Sequence, residues 1–343
     1  MTATHSPPST DSPRSTGSGE SGESSGSSGS SGISRKPIGS LSVSPLSLGG
    51  NVFGWTADEA ASFAVLDAYV AGGGNFIDTA DAYSYWVPGN KGGESETVIG
   101  NWLASRGNRS DVVIATKVGA LPGYKGLSPA TIKSAVDASL ARLRTDYIDL
   151  YYTHYDDESV EVPEFLTALD DLVRAGKVRE IAASNISAQR LEESLTCSAR
   201  EGLARYVALQ PHYNLVSRDT YEGELAEVAA RHGLAAVPYF SLAAGFLTGK
   251  YRPGTDVDSA RSGRAAQYVN TDRGNRVLQA LDTVATAHEA ESATVALAWL
   301  AGRPTVAAPI ASARTVTQLP ALLAAGELTL TETELTLLNE ASA

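Results

Sequence analysis

The chain has little of what disulfides and metal centres require. Cys197 is the only cysteine in 343 residues, so no intrachain disulfide can form and no Cys-x-x-Cys pair exists. That usage fits a reducing cytoplasm. The five histidines include none at His-Glu-x-x-His spacing, which argues against a metal site. No run of about 18 apolar residues occurs, so no membrane span is expected. Residues 1–32 contain no apolar segment of the signal-peptide kind and are almost entirely Ser, Gly, Thr, Pro and a few charges. Such a segment cannot bury enough apolar surface to offset its ordering entropy. Residues 1–34 are therefore expected to be a disordered tail, and residues 35–343 a single folded domain. Basic side chains are also scarce: 27 Lys and Arg face 39 Asp and Glu, a formal charge of −12. This argues against nucleic acid or an anionic membrane as partner, although a local basic pocket for a phosphorylated small molecule is compatible with it.

What is present is a rhythm. Eight β-rich runs occur: "GSLSVSPLSLGG" (39–50), "NFIDTA" (75–80), "VVIATKVG" (112–119), "YIDLYYTH" (147–154), "VREIAASN" (178–185), "YVALQPHYN" (206–214), "LAAVPYFSL" (234–242) and "TVAAPIAS" (305–312). Amphipathic helical stretches lie between them. In the first, "DEAASFAVLDAYVAGGG", Thr56 and Glu59 form a candidate capping box and Gly72 to Gly74 a stop. Strands alternating with helices imply right-handed crossovers and a parallel sheet. Eight such units favour a closed (β/α)8 (TIM) barrel over an open doubly wound sheet. No strand-to-helix turn carries Gly-x-Gly-x-x-Gly, so the dinucleotide site of the open sheet is missing.

Barrel active sites form at the C-terminal ends of the strands. The polar residues at those ends are Asn51, Asp78 with nearby Tyr83, Lys117, His154, Ser184 with Asn185, Gln210, Tyr239 with Ser241, and Ser312 with Arg314. From Asp78 onward they are spaced about one βα unit apart and should converge on one mouth.

Four of them make chemical sense together. A phenol is a weak acid, with an unperturbed pKa of about 10. An adjacent ammonium lowers that value, and a carboxylate keeps the ammonium charged and aimed. Tyr83 could then protonate a carbonyl oxygen, with Lys117 tuning it, Asp78 holding Lys117, and His154 giving a second hydrogen bond. Alone, each has an ordinary reading: Asp78 as a cap, Lys117 as a buried ion-pair residue, His154 as a structural histidine, Tyr83 as a half-buried aromatic. Together at successive strand ends they point to chemistry.

The segments "GGGNFIDTADAYS", "GESETVIGNWL", "VVIATKVG", "RLRTDYIDLYYTHYDD", "GKVREIAASN", "LQPHYNLVSR" and "YFSLAAGFLTGKY" resemble the aldo-keto reductase superfamily, in the branch that includes the β subunits of voltage-gated potassium channels. The resemblance runs from about residue 37 to the C-terminus. It implies a (β/α)8 barrel that binds NADP(H) without a Rossmann motif and transfers hydride to an aldehyde or ketone. Asp78, Tyr83, Lys117 and His154 match the family's catalytic tetrad. By the same resemblance Ser184, Asn185 and Gln210 would hold the nicotinamide carboxamide and Tyr239 would stack on its ring. Phe240, Ser241, Leu242, Ala243 and Gly245 would wrap the pyrophosphate, with Lys250 adding charge. Gly50 and Asn51 match positions lining the cofactor, along with Asp78. Ser312, Arg314 and Gln318 would receive the 2'-phosphate, and Arg261, in the 252–275 loop, is a candidate phosphate contact. One departure stands out: Leu322 occupies the place of a family Asn that contacts adenine.

Trp55, Trp86 and Tyr155 are the candidate walls of the substrate pocket. They name no particular carbonyl compound, and oligomeric state is equally open. Two competing readings are a cofactor-sensing binding module of slow turnover, as in the channel subunits, and an aldolase or isomerase using Lys117 as a Schiff base.

Overall fold

A computed structural model describes residues 34–343 except 253, 256 and 258–261. The expected tail, apart from its last residue, and Arg261 lie outside the described residues. Ten strands run in chain order: β1 Lys36–Ile38, β2 Leu41–Val43, β3 Ser47–Gly49, β4 Phe76–Asp78, β5 Val113–Val118, β6 Ile148–Thr153, β7 Val178–Ser184, β8 Tyr206–Gln210, β9 Ala235–Ala236 and β10 Ile310–Ala311. The last eight form one sheet, all parallel, in the order β10-β3-β4-β5-β6-β7-β8-β9. Its two edges meet: Ala236 donates to Thr305 at 2.8 Å, Ala307 to Ala236 at 2.9 Å, and Ile310 to Pro238 at 2.9 Å. The result is the expected (β/α)8 barrel.

Helices α1 Glu59–Ala71, α2 Glu94–Arg106, α3 Pro129–Leu143, α4 Val162–Arg174, α5 Ala188–Glu201 and α6 Glu224–Arg231 return the chain between strands. Five more follow β9: α7 Ser262–Val269, α8 Asp272–Ala287, α9 Ser292–Ala301, α10 Leu319–Leu323 and α11 Glu332–Ala341. No helix among the described residues is long and apolar enough to cross a membrane.

Side chains on a strand alternate between faces, and here the two faces form two cores. Ile77, Ile114, Tyr151, Ile181 and Leu209 pack outward beneath the helices. Phe76, Val113, Ala115, Leu150, Tyr152, Ala182 and Ala208 fill the barrel interior. Counting by two from the interior set, Phe76 leads to Asp78, Ala115 to Lys117, Tyr152 to His154, Ala182 to Ser184 and Ala208 to Gln210. The interior face of each strand thus ends in a polar residue at the same mouth.

Three expectations need correction. The first run is not one strand: Pro45 separates β2 from β3, and β2 pairs antiparallel with β1. This hairpin inserts Ile38, Leu41 and Val43 among the barrel-interior side chains, which closes the end opposite the site. Helix α1 is capped by Asp58, whose carboxylate accepts from the Ala61 N–H at 2.8 Å, and not by a Thr56 box. Part of the 252–275 loop is helical, as α7 and the start of α8.

The plug makes a testable contribution to stability. Ile38 is completely buried, and Ile38→Ala is expected to cost about 2–5 kcal/mol by cavity formation. Urea unfolding should show the midpoint fall with the slope of the transition unchanged.

Candidate active site

The register of the sheet assembles the centre. Asp78 closes β4 opposite Ala115, and Lys117 lies two residues further along β5. Lys117 is fully buried, and its ammonium donates to both oxygens of Asp78 at 2.8 Å, to the Thr79 carbonyl at 2.7 Å and to the Tyr83 hydroxyl oxygen at 2.8 Å. Tyr83 donates to Asp78 Oδ2 at 3.1 Å, and Gln210 Nε2 donates to Asp78 Oδ1 at 2.9 Å. The Asp78 carboxylate therefore holds three side chains at once. Sequence reasoning named all three residues but paired only Lys117 with Asp78, and it missed the Thr79 carbonyl, because a backbone acceptor carries no side-chain signature.

His154 follows β6 directly, and its ring lies 6.0 Å from that of Tyr83. Burial, and then the Lys117 charge, hold its pKa well below the usual histidine value. The ring is neutral at pH 7. Its Nδ1 is buried without a partner among the described residues, which leaves Nε2 as the nitrogen available to the cavity.

The electrostatics of Tyr83 run against expectation. Burial foremost, then the charge of Asp78 and the hydrogen bond to it, raise its pKa well above that of a free phenol. Lys117 opposes this from 2.8 Å but does not reverse it. Its own pKa is lowered by burial, with Asp78 the main counterweight. In the resting site the phenol keeps its proton.

A second layer joins the next strands. Asn185, held in the left-handed region at φ 48°, donates to the His154 carbonyl at 2.8 Å and to Ser184 Oγ at 3.1 Å. Its Oδ1 accepts from the Tyr239 hydroxyl at 2.8 Å. Ser184 donates to the Gln210 carbonyl at 2.8 Å. At the other side, Ser312 donates to Asn51 at 2.7 Å, and Gln318 accepts from the Arg314 backbone N–H at 2.8 Å.

One cavity of about 1460 Å³ is lined by most of the sequence-derived candidates. Asp78, Tyr83 and His154 border it, as do Ser184, Asn185, Gln210 and Tyr239. It extends past Phe240, Ser241, Leu242, Gly245 and Lys250 to Ser312, Arg314, Gln318 and Leu322. Trp55, Trp86 and Tyr155 form its outer walls, the two tryptophan rings standing edge to face at 5.6 Å. Three candidates lie behind the lining: Lys117 beneath Asp78, Gly50 donating to the Asp78 carbonyl at 2.7 Å, and buried Ala243. Phe240, Ala243, Ala244 and Gly245 all have positive φ, at 54°, 48°, 57° and 96°, a backbone course of the kind that can turn N–H groups toward an anion.

Comparison with known proteins agrees with this architecture. Residues 45–343 match the family model described as "Aldo/keto reductase family". The chain belongs to that family. It is 34% identical over 325 residues to norsolorinic acid reductase B of Aspergillus parasiticus, covering 89% of this chain and 82% of that protein. It is also 34% identical over 312 residues to protein tas of Escherichia coli, covering 83% and 90%. Aryl-alcohol dehydrogenase [NADP(+)] of Phanerodontia chrysosporium is 31% identical over 326 residues, covering 88% and 83%. Family membership means NAD(P)H-dependent oxidoreduction of carbonyl compounds.

Beside the Lys117 pair lies a polar cluster not anticipated from sequence. Glu96 accepts from Thr116 Oγ1 at 2.5 Å and from Arg142 Nε at 2.6 Å. Asp81 is fully buried nearby, and neither carboxylate oxygen has a hydrogen-bond partner among the described residues. Burial first, and then the Glu96 charge, push its pKa up to about 8. In the unfolded chain Asp81 ionises from the ordinary carboxylate value of about 3.8 upward, whereas the folded protein keeps the proton to about pH 8. Stability from this group is therefore full below pH 4 and is lost as pH rises to 8. Asp81→Asn should remove that loss, stabilising the protein relative to the wild type by up to about 5 kcal/mol at pH 8 and hardly at all at pH 4. Denaturant titrations at the two pH values check this.

Proposed function

We propose that the protein is an NADPH-dependent reductase that converts an aldehyde or ketone to the alcohol, with Tyr83 as general acid. The observation that carries this reading is the Tyr83 hydroxyl at the cavity wall, 2.8 Å from a buried ammonium that a carboxylate fixes in place. The bound reduced cofactor supplies the hydride. The remaining work falls to the chain. Tyr83 gives its proton to the carbonyl oxygen as negative charge develops there. Lys117 stabilises the phenolate left behind, and Asp78 keeps that charge aimed. His154 donates from neutral imidazole to the same oxygen. A phenol that holds its proton at rest suits this role, because it releases the proton only to a stronger base.

Ser184, Asn185 and Gln210 would orient the carboxamide and Tyr239 would support the nicotinamide ring. The left-handed passage through Ala244 and Gly245, with Lys250, would take the pyrophosphate. Ser312, Arg314 and Gln318 would take the 2'-phosphate, where a guanidinium forms charge-assisted hydrogen bonds. Leu322 gives adenine an apolar contact in place of an amide. The NADP(+) in the name of the Phanerodontia relative supports this preference.

The substrate is best read as an aryl carbonyl. Among the described residues six large apolar side chains are exposed, and four of them, Tyr85, Trp86, Tyr155 and Phe240, border this cavity. Exposed aromatics gathered at one mouth suit a flat ring. The name of one relative, an aryl-alcohol dehydrogenase, agrees with that class.

Tyr83→Phe should lower aryl-aldehyde-dependent NADPH oxidation by at least about 100-fold while NADPH binding persists. Wild-type activity of that variant on every accepted carbonyl would refute the assignment. Trp86→Ala should raise KM for an aryl aldehyde about 10-fold, with little effect on a short aliphatic one. Equal effects on both would count against an aryl substrate.

A further inference from the structure

Tyr239 borders the cavity. Its ring also stacks with the imidazole of His212, whose plane lies 19° from that of the phenol with the centroids 5.4 Å apart. His212 itself does not line the cavity. The two residues are held side by side by a parallel backbone bridge, with Tyr239 N–H donating to the Pro211 carbonyl at 2.9 Å. Phe240 closes the cluster, its ring 5.5 Å from His212 at 72° and 5.3 Å from Tyr239 at 57°. The Thr220 hydroxyl donates to the His212 carbonyl, which fixes the backbone beneath the ring.

The Tyr239 hydroxyl is tethered to Asn185 Oδ1 at 2.8 Å. A tether at one end fixes where the ring points but not how it tilts, because the ring can still turn about its long axis. A flat partner behind it removes that freedom. His212 supplies the flat face at a cost: its Nε2 is buried without a partner among the described residues, which disfavours folding. Leucine would avoid the penalty but would present no flat face. Burial lowers the pKa of the imidazole, so the ring stacks in its neutral form.

Resting on the cofactor reading above, the geometry points to His212 as a positioning residue: it backs Tyr239, sets the tilt of the aromatic platform under the nicotinamide, and so aligns the hydride donor without touching cofactor or substrate. The position was legible in principle. His212 lies two residues beyond Gln210, on the same face of the same strand path.

The test compares His212→Leu and His212→Phe with the wild type in two measurements. One is NADPH titration followed by nicotinamide fluorescence, and the other is single-turnover oxidation of bound NADPH by an aryl aldehyde. Misalignment at a reacting centre is costly, so the Leu variant should lose at least about 10-fold in the single-turnover rate. Its bound NADPH should also emit at an altered wavelength, with the melting temperature no lower than that of the wild type, because the unpartnered Nε2 is gone. The Phe variant, which restores a flat backing ring, should stay within about threefold of the wild type. A Leu variant equal to the wild type in rate and emission overturns the proposal alone, as does a Phe variant as impaired as Leu. Failure of the wild type to bind NADPH overturns both this proposal and the cofactor reading beneath it.

Discussion

An ammonium removed wholly from water is tolerable only where fixed negative groups replace its hydration, and Lys117 is such a group. Asp78 meets it with both oxygens, and the Thr79 carbonyl adds a third acceptor. The pair is not a net source of stability: desolvation offsets most of its attraction, while loss of one partner alone would cost about 3–5 kcal/mol. Its consequence is positional. Once the ammonium is immobile, the phenol of Tyr83 at 2.8 Å has a fixed charge beside it. The amide of Gln210 is drawn to the same carboxylate.

The barrel supplies this arrangement through strand alternation. Small and medium interior residues, Ala115, Ala182 and Ala208 beside Phe76 and Leu150, fill the lower barrel. The hairpin residues Ile38, Leu41 and Val43 close its base. The next interior position on each strand opens on the mouth, where a polar side chain reaches its neighbours across the ring. Asn185 then links the His154 carbonyl to the Tyr239 hydroxyl, so the second layer spans the loops after three strands.

Much of this was legible in sequence because a parallel barrel places strand ends together whatever their separation in the chain. Asp78, Lys117, His154, Ser184 and Gln210 each belong to a recognisable β-rich run, and the family resemblance named further residues of the cavity wall, though not Tyr85, Lys125, Arg264 or Gln267. The hairpin was not legible, since "GSLSVSPLSLGG" is β-rich throughout and only three-dimensional closure divides it at Pro45. Helix α7 escaped notice because just one of its residues, Ala265, is buried. The upward pKa shifts of Tyr83 and Asp81 escaped for a different reason: charge partners can be read from residue types, but the burial that outweighs them cannot.

The central claim is that the Lys117–Asp78 pair makes Tyr83 an effective acid. The most direct measurement is the single-turnover hydride-transfer rate of an Asp78→Asn, Lys117→Met double variant that retains Tyr83. Removing both charges leaves no unpaired buried ion, so the variant should fold. With NADPH bound, the account predicts a rate lower by at least about 100-fold. A rate within about threefold of the wild type would contradict it.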